Sequence, residues 1–94
     1  MDQEKIGKLI KEIRMKHHLT QNDFASKYGV TYQAVSKWEN GKNIPDISIL
    51  KQIANDFDID IDSLLEGESK KKKNNHVLIM LIVIILIILI SFFS

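Results

Sequence analysis

Cysteine is absent from the 94 residues, which excludes a disulfide framework, zinc sites built on thiolates and thiol catalysis together. Proline occurs once, at Pro45, where Ile44-Pro45-Asp46 marks the stop of one helical segment and the start of another. No stretch alternates long enough to argue a sheet, because DIDID over residues 58–62 lies between two helical patterns. Neither an internal repeat nor a nucleophile paired with a base is found, so the chain is not expected to be an enzyme. No metal site or cofactor is expected either. His17 and His18 are adjacent and would point about 100° apart on a helix. Asp58, Asp60 and Asp62 open like a calcium loop, but Ser63 stands where the loop glycine belongs and Ser69 where its last glutamate belongs. The amino terminus, MDQEKIGKLIKEI, carries Asp2 and Glu4 and no apolar run, which is not the pattern of a secretory signal.

A net charge of +1 conceals an uneven distribution. Residues 1–45 hold eight Lys or Arg against five acids, a net +3, while residues 46–68 hold Lys51 against seven acids, a net −6. Lys70, Lys71, Lys72 and Lys73 then add +4. One surface should suit a polyanion and another should repel it.

Helical periodicity organises the first two thirds of the chain. Ile6, Leu9, Ile10 and Ile13 share one face of a first helix, with Lys5, Lys8, Lys11, Glu12 and Lys16 around the rest. Gly7 within that pattern signals close packing. Thr20 with Asp23 three residues on reads as a capped start to a second helix through Phe24, Ala25 and Tyr28, ended by Gly29. Thr31 caps a third through Val35 and Trp38, closed by Asn40-Gly41. Asp46 caps a fourth, with Ile49, Leu50, Ile53, Ala54 and Phe57 inward, and Asp60 a short fifth with Ile61, Leu64 and Leu65, stopped by Gly67. Trp38 is expected in the core and Tyr28 against the first helix.

Two short helices joined by a tight turn can lay the second in a DNA major groove if they cross closely. Small Ala25, turn-forming Gly29 and space-filling Val35 allow that crossing, and Phe24, Val30 and Trp38 anchor the pair. Over about residues 6–66, including LTQNDFASKYGVTYQAVSKWENGKNIPDISILKQIANDFDIDIDSLL, the chain resembles the Cro and phage-repressor (XRE) helix-turn-helix domains. The resemblance implies an all-α, five-helix phage-repressor-like domain that binds double-stranded operator DNA, usually as a homodimer on paired half-sites.

The same resemblance implies the contacts. Tyr32, Gln33 and Lys37, with Ser36 less centrally, are the candidates for base edges. Gln can bond adenine N6 and N7, Lys can donate to guanine O6 or N7, and Tyr can pack on a thymine methyl. Gln21, Asn40 and Lys42 match phosphate contacts, and Arg14 matches a basic residue that meets both the DNA backbone and an acid of its own fold, here Glu39.

Past residue 68 the character changes. Residues 68–75 are expected as a polybasic linker, and residues 76–94 as a single transmembrane helix, since Val77 opens fourteen consecutive apolar residues and the domain of residues 1–67 is too small to bury them. Lys70, Lys71, Lys72 and Lys73 just before that segment are the expected membrane-proximal, lipid-facing charges and would keep the first domain cytoplasmic by the positive-inside rule. The expectation is therefore a membrane-anchored, sequence-specific DNA-binding transcriptional regulator whose recognition helix spans about residues 31–39. A membrane-anchored protein-interaction adaptor and an antitoxin-like DNA-binding regulator are the alternatives.

Overall fold

A computed structural model describes residues 1–72 and 76–94; Lys73, the last of the four expected membrane-proximal lysines, lies outside them. Six α-helices are present among the described residues: α1 (Gln3–Lys16), α2 (Gln21–Tyr28), α3 (Tyr32–Glu39), α4 (Ile47–Asp56), α5 (Ile61–Leu65) and α6 (His76–Phe93). Each of the first five starts where a short polar side chain can hold free amides. Asp2, Thr20, Thr31, Asp46 and Asp60 each accept from a backbone N–H of the first turn. At α2 the exchange is reciprocal, with the Asp23 amide donating to Thr20 Oγ1 at 3.0 Å and the Thr20 amide to Asp23 Oδ2 at 3.0 Å. The Thr20 amide, and then its hydroxyl, hold the Asp23 carboxyl below its ordinary pKa. Gly29 ends α2 at φ 64°, a conformation that favours a residue without a β-carbon.

The apolar stripes of these helices meet in one core. Ile6, Ile10, Phe24, Val35, Leu50, Ile53 and Leu64 are its most deeply buried large side chains. Among the described residues, all the buried ones fall between residues 6 and 64, so residues 1–72 contain the core. Close helix crossing occurs at Gly7, where an added Cβ would run into the Trp38 carbonyl, with the Glu39 backbone also within van der Waals contact. Helix α1 thus grips α3 by its backbone. Tyr28 is buried as expected, yet its hydroxyl is committed to α4 rather than α1, donating to Asp56 Oδ2 at 2.9 Å. Desolvation first, and the Asp56 carboxylate second, raise the pKa of that phenol.

The segment expected as a linker is partly bound to the domain. The Asp60 amide donates to the Lys70 carbonyl at 2.8 Å and the Lys72 amide to the Asp58 carbonyl at 3.3 Å, forming one antiparallel bridge between Ile59 and Lys71. Lys72 Nζ also donates to Asn55 Oδ1 at 3.0 Å. The α6 helix begins four residues after Lys72 and is long and apolar enough to cross a membrane, with every one of its 18 residues exposed.

Two outcomes follow. Gly7→Ala is expected to lower unfolding stability by about 2 kcal/mol or more, since a backbone carbonyl cannot yield as a side chain can, read as a lower urea midpoint for residues 1–72. The Tyr28 phenol titrates later in the folded state than in the unfolded state. Its contribution is therefore intact below the ordinary value of 10.0 and is lost as pH rises above it. Between pH 9 and about 11 the wild-type midpoint should fall more steeply than that of Tyr28→Phe, and parallel curves would contradict the assignment.

Candidate nucleic-acid interface

Burial divides α3 into two faces. Val35 and Trp38, 0% and 4% exposed, pack inward, whereas Gln33 and Lys37 are exposed and Tyr32 is 49% exposed. At about 100° per residue, positions 32, 33, 36 and 37 share an arc of about 140°. Ser36 in that arc is half-buried, and its carbonyl and hydroxyl accept from Asn40 Nδ2 at 2.9 and 3.4 Å. The start of the helix is fixed by Thr31, whose Oγ1 accepts from the Ala34 amide at 3.2 Å. Behind it, buried Ala25 and Val35 allow α2 and α3 to cross, and the Val30 amide closes the turn on the Ala25 carbonyl at 3.0 Å.

At the other end of α3 lies a charged cluster. Arg14 Nε donates to Glu39 Oε2 at 2.8 Å and Nη2 to Glu39 Oε1 at 2.9 Å, a two-bond fork between α1 and α3. Arg14 Nη1 donates to the Leu19 carbonyl at 2.9 Å, just ahead of α2. Gln21 Nε2 donates to Glu39 Oε1 at 3.5 Å, the long limit of such a bond. Side-chain exposure is only 13% for Arg14 and 4% for Glu39, so the pair is shielded from screening by solvent. The Glu39 hydrogen bonds outweigh desolvation and raise the guanidinium pKa, keeping it charged.

The expected site residues separate into two groups. Tyr32, Gln33, Ser36, Lys37 and Asn40 lie along α3 and its cap, exposed Lys42 follows directly, and Gln21 and Arg14 converge on Glu39. Arg14 engages three of its five N–H groups within the protein, which suits it to orienting the helices more than to open contact. Lys70, Lys71 and Lys72 belong elsewhere, beside the α4–α5 turn. Sequence reasoning missed the Leu19 carbonyl and Asn55 as partners. Neither carries a signal in residue type, because each acts through its place in space. Among the described residues, no three His, Asp or Glu side chains are placed to hold a metal ion.

A family model described as Helix-turn-helix matches residues 10–64, more than half of the chain. The chain belongs to the helix-turn-helix family. This helix-turn-helix protein is 41% identical over 59 residues to the HTH-type transcriptional activator BcrR of Enterococcus faecalis, covering 63% of this chain and 29% of BcrR. It is 40% identical over 60 residues to the uncharacterized HTH-type transcriptional regulator YqaE of Bacillus subtilis, covering 64% of this chain and 52% of YqaE. The chain thus spans about half or less of the length of these two relatives. It spans 71% of the ImmF control region 10 kDa protein of Bacillus phage phi105, at 34% identity over 64 residues that cover 68% of this chain. No solved structure matches it.

Removing one partner of the fork should leave a shielded charge without its counter-ion. Glu39→Ala is expected to destabilise residues 1–72 by about 3 kcal/mol, whereas Lys42→Ala at an exposed position should change stability by under about 0.5 kcal/mol. Equal urea midpoints for the two variants would contradict the bracing role of the pair.

Proposed function

We propose that this helix-turn-helix protein is a sequence-specific DNA-binding transcriptional regulator anchored to the cytoplasmic face of a membrane by α6. The observation that carries the DNA part is the two-faced α3. Its buried side is fixed by α1 and α2 while Tyr32, Gln33 and Lys37 stand free along one arc. A helix held that way can enter a major groove and present an amide, an ammonium and a phenol to base edges. Gln21, at the amino end of α2, and Asn40 and Lys42, after α3, would contact phosphate on either side, and Arg14 would hold the Glu39 end of the frame. Residues 1–45 contain this whole surface and carry a net +3, which favours a polyanion. The family and the two relatives named as transcriptional regulators point the same way.

Binding as a homodimer on paired half-sites fits this small surface, since one α3 covers only a few base pairs and two would multiply the selectivity.

Support for the anchor is chemical. An 18-residue helix rises about 27 Å, near the thickness of a hydrocarbon core of about 30 Å. All its residues are exposed and nearly all apolar, a surface that water would strongly disfavour and lipid would cover. As a helix it satisfies its own backbone groups, the condition for spanning. The lysine cluster before it sets the expected orientation, with the domain on the cytoplasmic side.

Two measurements test the parts separately. Residues 1–72 should bind duplexes recovered by selection with an affinity that falls steeply with salt. Gln33→Ala should weaken the selected duplex by about 1–3 kcal/mol and relax one base position, while Lys42→Ala should weaken all duplexes alike and lower the salt slope by about one. Binding indifferent to salt and to Gln33→Ala would reject the DNA role. The full chain should stay with membranes through alkaline carbonate, and its release would reject the span.

A further inference from the structure

We propose that residues 69–72 form a strap that docks on the α4–α5 turn and holds the domain close to the bilayer, and that undocking lets the domain stand off to take up duplex DNA. This rests on the membrane-anchored reading above and goes beyond it, because an anchor alone says nothing about how far the domain can move.

The two sides of the contact differ in rigidity. On the domain side, Ile59 is 5% exposed and its amide donates to the Ala54 carbonyl at 2.8 Å, while Asp60 caps α5. On the strap side every residue from Glu68 to Lys72 is exposed. Two backbone hydrogen bonds, of 2.8 and 3.3 Å, and the Lys72–Asn55 bond of 3.0 Å join the two sides. Beside the strap lies a hollow of about 300 Å³, with Leu9, Ile13, Phe57 and Ile59 among its lining and Ser69 and Lys71 at its strap side. A segment held by a few exposed hydrogen bonds beside a hollow belongs to the low-stability end of a fold, able to open while the core stays shut.

Chain length turns that opening into distance. With the strap docked, four chain steps separate Lys72 from His76, a reach of at most about 14 Å; once it is released back to Ser69, seven steps raise the reach to about 25 Å. Charge adds a bias. Docking keeps the strap lysines beside residues 46–68, which carry a net −6, and brings that acidic segment toward the membrane. An anionic bilayer attracts the lysines and repels the acids, so it favours undocking.

The test uses the full chain in nanodiscs of mixed phosphatidylcholine and phosphatidylglycerol, with Ile59→Cys and Lys71→Cys combined. These are facing residues of a non-hydrogen-bonded antiparallel pair, whose Cα atoms stand about 4.5 Å apart, within disulfide reach, and the chain has no other cysteine. Oxidation locks the strap and reduction frees it in the same molecule. Energy transfer from Trp38, the only tryptophan, to dansyl-labelled lipid reports height, and titration with a mixed-sequence duplex at low salt reports access. The oxidised form should show higher transfer and bind duplex at least about threefold more weakly than the reduced form. Lys72→Pro, which removes the strap's amide donor, should show lower transfer than wild type. Equal transfer and affinity in oxidised and reduced protein would overturn the strap while leaving the anchor standing. Failure of the chain to enter the nanodisc at all would overturn both.

Discussion

The fold depends on how α1 holds α3 from behind. A helix that is to meet a partner with its front must be fixed by its back, and α3, at eight residues, is too short to persist alone. Two contacts supply the grip. Gly7 lets the α1 backbone rest on the Trp38 carbonyl, and two turns further along Arg14 takes both oxygens of Glu39. The first sets distance, because no β-carbon fits there. The second sets direction, because a planar guanidinium and a planar carboxylate match in one orientation. Leu19 and Gln21 join the same cluster, so the entry to α2 is registered against α3 by the charges that register α1.

Around that frame the chain sorts its surfaces by the solvent each would meet. Along the chain, residues 1–45 are net basic, residues 46–68 are net acidic, and the longest apolar run forms α6. Glu39, the acid on α3, is enclosed and taken up by Arg14, so its charge is not presented on the exposed arc, where a like charge would weaken association with a polyanion. Lys70, Lys71 and Lys72 stand between the acidic segment and the apolar helix, which makes that junction the place where the two halves can influence each other.

What could be read from the sequence is what depends on neighbours along the chain. Thr20, Thr31, Asp46 and Asp60 cap their helices because a short oxygen-bearing side chain reaches an amide two or three residues on, and Ile6, Leu9, Ile10 and Ile13 are buried because helical spacing aligns them. The packing role of Gly7 was legible as well, since glycine is otherwise unfavourable inside a helix. Contacts between distant segments were harder. The Arg14–Glu39 fork came from family resemblance rather than from spacing. The Tyr28 ring lies in the core cluster with the α1 isoleucines, but nothing along the chain indicates that its hydroxyl donates to Asp56, 28 positions away. Residues 68–72 read as linker because lysines and serines carry no pairing signal, yet backbone amides can pair whatever the side chains are. For the candidate interface, sequence identified which residues to consider, and burial then distinguished exposed Gln33 and Lys37 from Arg14, which is largely enclosed.

The central claim is that the outer arc of α3 is the surface that meets duplex DNA, and amide chemical shifts of isotope-labelled residues 1–72 test it most directly. On titration with duplex, the account predicts that the largest changes fall on Gln21, Tyr32, Gln33, Lys37, Asn40 and Lys42, with those of α5 unmoved. Changes centred on the α4–α5 turn, with α3 silent, would contradict it.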